Sequence, residues 1–234
     1  DYWTQAGKSK WLLQLKANIS FFDSLLKNNT SGNLSADLNS MLVSFHITGA
    51  EKFDMLYVVP VKTKETFGVL MDAIKNNKPN SEEITSRQFD GVEIFDMPFE
   101  GNKIFTYAFS RGLIIGSFTS FLVEDAIRQQ RLGKPFGGSA SFEKIYEKTS
   151  ATASYSLCVN YKSFKKFADT FITDDAGKKL AGLENWASWQ LQEVKFNKSA
   201  IAFEGYLQND DTLRQMQILK NNLPRRLQLL EALP

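Results

Sequence analysis

The chain has a single cysteine and a single histidine among its 234 residues, and these shortages exclude whole classes of chemistry. One cysteine cannot form an internal disulfide, and together with one histidine it cannot supply a His/Cys metal cluster. A lone cysteine fits a reducing compartment, and it fits equally a bacterial periplasmic protein without disulfides. We therefore predict a protein without a cofactor or a metal site.

An excess of charge of either sign is also missing, because the formal net charge is +2. Hydrophobic residues at 43% and charged residues at 23% are typical of a soluble globular protein. The densest basic cluster, Lys162, Lys165 and Lys166, lies in a helix-like segment and is interpreted as a solvated face. Nucleic-acid binding usually needs a clearly basic surface, so we expect no nucleic-acid partner.

Sequence motifs of catalysis are missing too. There is no phosphate-binding glycine loop and no nucleophile elbow, and Gly112 and Gly116 are interpreted as turn glycines. His46 shares a strand face with Ser44 without an accompanying motif, which favours a structural or surface histidine. Cys158 lies in an apolar strand, which favours a buried, inert thiol. We therefore predict that the protein is not an enzyme.

Carboxylates occur mainly as adjacent pairs along the chain. Adjacent side chains diverge on a helix or a strand, so such pairs seldom share one proton or one substrate. Glycosidase carboxylates can come from distant strands, which leaves a hydrolase with dispersed carboxylates as the third-ranked interpretation. The pairs are Glu82–Glu83, Glu124–Asp125, Asp174–Asp175 and Asp210–Asp211.

The ends of the chain carry no targeting signal. It begins at Asp1 without an initiator Met, and it contains no signal peptide and no transmembrane run. Its last residues, up to Pro234, have the pattern of an amphipathic segment that enters a new turn. We therefore expect one ordered piece of a longer protein, attached through a segment outside it.

What the chain has in plenty is phenylalanine, with 19 residues whose rings usually fill the space between a sheet and its helices. Apolar runs separated by short turns predict a first hairpin, a four-stranded antiparallel meander and a late hairpin. Asp90–Gly91 is typical of a tight hairpin turn because it supplies the positive φ angles. The predicted strands are Met41–Thr48, Phe53–Val61, Ile84–Phe89, Val92–Met97, Ile104–Phe109, Leu113–Ser117, Tyr155–Tyr161, Trp186–Phe196 and Ala200–Gln208.

Helical spacing predicts an amphipathic helix over 8–27 and three units in which a buried strand leads into an amphipathic helix. A Thr or Ser at each link, such as Thr63 and Ser163, is predicted to cap its helix. These patterns indicate an α+β fold with antiparallel sheets of meander and hairpin strands and helices packed on one face. Two similar α+β halves, 1–132 and 139–234, with a linker at 133–138, are one reading; a loop inside one domain is equally compatible.

Side chains of the last strand alternate between apolar positions and positions of mixed character, which predicts that one face of the strand is buried and the other is exposed to solvent. The apolar set is expected to be buried, and it comprises Ile201, Phe203 and Leu207, alternating with Ala202, Glu204 and Tyr206. Trp186 and Trp189 with Tyr206 could form an aromatic surface for sugars or peptides. On a strand, residues 186 and 189 face opposite sides unless a bulge intervenes, so at least one tryptophan is expected in the core.

Four stretches carry a resemblance to a known family: Phe53–Pro60, Asp90–Phe95, Phe105–Ser117 with its helix through Asp125–Ile127, and Trp189–Leu191. They resemble an uncharacterised family of Bacteroidota cell-envelope proteins. Similar segments in that family lie in a longer chain, behind an N-terminal membrane anchor or signal, and further repeats follow. The family has no established activity, so the resemblance implies no catalytic residues.

The resemblance implies a periplasmic location, with anchorage through an N-terminal segment outside this chain. Bacteroidota O-glycosylation resembles a rule of Asp, then Ser or Thr, then an aliphatic residue. Asp23–Leu25 and Asp211–Leu213 match it, which predicts Ser24 and Thr212 as modification sites.

Three functions follow from these observations. The first is a non-enzymatic cell-envelope protein that acts as a scaffold or partner-binding component of a larger assembly, with other envelope proteins as partners. The second is a periplasmic carrier or sensor of a small apolar or sugar ligand, held in a phenylalanine-lined cavity. The third is the hydrolase with dispersed carboxylates.

Overall fold

Two antiparallel sheets, one of six strands and one of three, make the chain α+β and confirm the predicted fold class. The chain divides into two compact units, Asp1–Thr48 with Phe53–Gly133 and Gly49–Lys52 with Lys134–Pro234. The computed structural model describes residues 40–49, 52–61, 65–68, 71–72, 83–99, 103–133, 140–169, 182, 185, 187–196 and 199–209. The helix predicted at 8–27 and, apart from Gly133, the linker predicted at 133–138 lie outside these residues.

The first unit contains a six-stranded sheet in the order β1-β2-β6-β5-β4-β3, in which β3 to β6 form the predicted meander. β1 and β2 are neighbours, as the first hairpin requires. The strands are β1 Leu42–Gly49, β2 Lys52–Pro60, β3 Thr85–Phe89, β4 Val92–Phe99, β5 Lys103–Ser110 and β6 Leu113–Ser117.

Two of the hairpin turns are built the same way. Asp90 and Gly91 have φ of 51° and 78°, and Arg111 and Gly112 have φ of 49° and 78°. Positive φ at both central residues matches the right-handed twist of the flanking strands, which is why two-residue hairpins use this geometry. The predicted Asp-Gly turn is therefore confirmed, and Gly112 is a turn glycine as predicted.

Helix α1, Ser120–Leu132, packs its apolar side on one face of the first sheet. Leu122, Val123 and Ile127 of α1 are buried against Ile94 of β4 and Ile115 of β6. Their spacing along the helix places them on one side of it, so they form a continuous apolar seam. This confirms the strand-to-helix unit predicted after β6.

Aromatic rings cover the opposite face of the same sheet. The ring centroids of Phe95 and Tyr107 are 5.3 Å apart, and Phe67, from helical residues 65–68, lies 5.3 Å from Phe109. Burial raises the pKa of Tyr107 to about 12, so its hydroxyl is neutral at physiological pH. The first sheet therefore has helical residues on both faces, an aliphatic layer on one side and a ring layer on the other.

Gly116 lies inside β6, so its interpretation as a turn glycine is wrong. It pairs with Tyr57 on one side and Tyr107 on the other, and the Phe105 ring lies directly over it. A Cβ added at Gly116 would meet Phe105 Cζ at 2.5 Å. The glycine is needed because the ring layer comes this close to the backbone.

We expect Gly116→Ala to destabilise the protein by about 1–3 kcal/mol, because Phe105 is buried beside Tyr57 and Tyr107 and must shift to admit the methyl group. Gly68→Ala is the matched control. Gly68 is helical with open space around its added Cβ, so the same substitution should stabilise by about 0.5–1 kcal/mol. Urea unfolding of both variants measures the two effects, and equal stability for both would contradict the close packing over Gly116.

Two helix starts differ from their predicted caps. Thr119 is at the N-cap of α1, but its hydroxyl makes no capping bond to the helix and donates to Asp54 instead. Helix α3, Tyr161–Asp169, begins directly after a strand, and the N–H of Ser163 donates to Asn160 Oδ1 at 3.2 Å. Asn160, not Ser163, is therefore the capping side chain. Thr63 lies outside the described residues.

Candidate functional site

The second unit contains a three-stranded antiparallel sheet in the order β7-β8-β9, which includes the predicted late hairpin. Its strands are β7 Tyr155–Asn160, β8 Trp189–Phe196 and β9 Ile201–Gln208. β8 begins three residues later than predicted, and Trp186 lies outside the described residues.

Helix α2, Ala140–Tyr146, covers one face of the second sheet. Ile145 of α2 is buried with Trp189 and Leu191 of β8, and Phe142 packs its ring 4.8 Å from that of Trp189. Tyr206 of β9 joins this cluster as a half-buried residue. The α2 side therefore holds the described apolar core of the second sheet.

The prediction of which face of the last strand is buried is wrong. Opposite residues in an antiparallel pair share a face, and Tyr206 is paired with Leu191 on the α2 side. Phe203 pairs with Val194 and points away from α2, where it is 71% exposed. Alternation of side chains was predicted correctly, but the larger apolar set lies on the exposed face.

That exposed face is apolar across all three strands. Tyr155, Val194 and Phe203 lie in one row, and Leu157 begins the next row along β7. The rings of Tyr155 and Phe196 meet edge to face, 5.8 Å apart. We call the following six residues, each about half exposed or more, the apolar face: Tyr155, Leu157, Phe196, Ile201, Phe203 and Leu207.

Two glutamines of β8 lie between these apolar residues, and the side chain of each forms a hydrogen bond within the unit. Gln192 Nε2 donates to the carbonyl oxygen of Glu204 at 2.9 Å, and its side chain lies over Gly205. Gln190 Oε1 accepts a 2.6 Å hydrogen bond from the Tyr161 hydroxyl. The amide nitrogen of Gln192 and the amide oxygen of Gln190 are thus already hydrogen-bonded within the unit, which lowers the cost of removing water from these two groups.

The predicted aromatic binding surface stays a prediction, because Trp186 lies outside the described residues. Trp189 is 8% exposed and belongs to the core, while Tyr206 is half-buried beside it. Core placement of at least one tryptophan was expected from the strand geometry. Ser24 and Thr212, the predicted glycosylation sites, also lie outside the described residues.

Glu193 was missed by the sequence interpretation. It is 1% exposed on the α2 side of β8, and its Oε1 accepts the Ser150 N–H at 2.6 Å and the Ser156 hydroxyl at 3.3 Å. A buried carboxylate is stable when hydrogen bonds replace its lost water. The signal was in the alternation of β8, because residue 193 is in phase with Trp189 and Leu191.

We expect Glu193→Ala to destabilise the protein by about 1–3 kcal/mol, because it leaves the Ser150 N–H without its acceptor. Glu204→Ala is the matched control, since Glu204 is directly opposite on β9 but exposed. Removing Glu204 should have a smaller effect on the urea unfolding midpoint. Equal losses in the two variants would show that burial and hydrogen bonding of Glu193 do not matter for stability.

Cys158 lies on the edge strand β7 and is exposed, so its predicted burial is wrong. The strand has the apolar residues that suggested burial. As the edge strand of the described sheet, however, β7 pairs with a neighbour on one side only, which leaves Cys158 exposed to solvent. Partial desolvation and the nearby Glu193 raise the pKa of the thiol above its ordinary value. The group therefore stays a thiol at neutral pH, and a thiol is a weaker nucleophile than a thiolate.

In the first unit, a polar band runs along the α1 side of the sheet to the start of α1. The hydroxyls of Thr48 and Thr119 both donate to Asp54 Oδ2, at 3.1 and 2.5 Å. Ser117 donates to the carbonyl oxygen of Met55 at 2.9 Å. These bonds fix the start of α1 to β2 and leave the hydroxyl protons committed to carboxylate and carbonyl oxygens.

At the other end of the polar band, the guanidinium group of Arg87 forms two salt bridges. Arg87 on β3 reaches Asp96 on β4 at 3.1 Å and Glu124 on α1 at 2.7 Å, while Thr106 donates to the second oxygen of Asp96 at 2.6 Å. The adjacent carboxylates Glu124 and Asp125 form salt bridges with different arginines, because Asp125 pairs with Arg128. This agrees with the expectation that adjacent carboxylates diverge.

His46 and Ser44 lie on the α1 side of β1, and Ser44 Oγ is 2.8 Å from His46 Nε2. The predicted shared face is confirmed. A serine nucleophile also needs a group that orients the histidine and donors for an oxyanion. Among the described residues the His46 ring has no hydrogen bond to a carboxylate, and Asp125 acts on it only through its charge. Within the described ranges the pair is a hydrogen-bonded contact between two side chains of one strand.

Burial lowers the pKa of His46 below its ordinary 6.5, with Asp125 opposing the shift. The folded chain then binds the imidazole proton less readily than the unfolded chain. Stability due to neutral His46 is fully present above about pH 6.5 and is lost as the pH falls towards the lower folded pKa. We expect thermal unfolding between pH 8 and 5 to show a larger loss for the wild type than for His46→Gln. Parallel curves would contradict this assignment.

Within the described ranges, no group of three or more His, Cys, Asp or Glu side chains could hold a metal ion. The helices found in those ranges are all too short or too polar to cross a membrane. Comparison with family models, curated proteins and solved structures gave no match.

Proposed function

We propose that this protein is a non-enzymatic, partner-binding component of an assembly in a bacterial cell envelope. The observation that carries the proposal is the apolar face. Six large apolar residues on one side of a three-stranded sheet are exposed in the structure. Contiguous exposed apolar surface of this kind marks interaction sites in soluble proteins.

The extent of the apolar face supports a protein partner. Taking about 200 Å² for an aromatic side chain, the six residues expose on the order of 600 Å². A standard protein–protein interface buries about 800 Å² on each partner. The face is thus close to the size of one side of such an interface. It lies on a sheet whose other side is occupied by α2.

The envelope location rests on the resemblance of four stretches to Bacteroidota envelope proteins. In this proposal the protein works in the periplasm and is held by an anchor outside the chain. Other envelope proteins with apolar surfaces are its partners. Burial of the three exposed rings, Tyr155, Phe196 and Phe203, supplies most of the binding free energy, as aromatic residues do in protein interfaces.

The test is recovery of partners with the tagged full-length protein from its native membrane in mild detergent. The variant Phe203→Glu puts a carboxylate in the apolar face, and Ala202→Glu puts the same group on the adjacent residue, opposite Lys195 and on the other side of β9. We expect a stoichiometric partner with the wild type and Ala202→Glu, and its loss with Phe203→Glu.

Two results would contradict the proposal. One is a full-length protein that retains no stoichiometric partner in the wild type. The other is the same partner retained equally by Phe203→Glu, since binding would then use another surface. Circular dichroism of the variants serves as the folding control, and little change is expected because Phe203 is 71% exposed.

A further inference from the structure

We draw no further inference here: the strongest candidate, the apolar face on the side of the β7-β8-β9 sheet away from α2, is the surface already proposed to bind a partner, and nothing in the described residues shows what covers it.

Discussion

An antiparallel sheet that is apolar on both faces needs a covering layer on each, and the two units of this protein meet that requirement differently. In the first unit, α1 lies on the aliphatic face, and the ring layer with Phe67 lies on the other. In the second unit, α2 covers the Trp189 and Leu191 side, and the apolar face is open in the described residues. Burial of apolar surface is the main favourable term in folding and association alike, so the open face is where the protein has most to gain from binding.

The sequence was sufficient for the strands, the hairpins and the meander, because their signals are local. The pairings of β2 with β6 and of β7 with β8 join strands that do not follow each other through a short turn, and they were not predicted. Alternation of side chains and turn residues such as Asp90 and Gly91 specify a hairpin within about a dozen residues. The side of each strand that is covered is not local information. In β9 the larger apolar residues invite the interpretation that Phe203 is buried, yet the position of α2 places Tyr206 there. Alternation shows which residues of a strand share a face, while tertiary packing decides which of the two faces is buried.

The polar details were hidden for a similar reason. Glu193 is a charged residue, yet its phase on β8 placed it among buried positions and its hydrogen bonds come from distant residues Ser150 and Ser156. Thr119 occupies the expected cap position but donates to Asp54, which is 65 residues away. Hydroxyls along the α1 side are used to hold the helix on the sheet. In the first unit, α1 is thus held on the sheet by both apolar and polar contacts.

The central claim is that the apolar face is covered when the protein is at work, and hydroxyl-radical footprinting measures this directly. Labelling of Phe203 should be high in the isolated chain and low for the protein in its native cells, where its partner is present. Tyr146, exposed on α2 and outside the apolar face, provides the internal reference whose labelling should stay constant. Equal labelling of Phe203 in the isolated chain and in native cells would contradict the account, because it would show that nothing binds there.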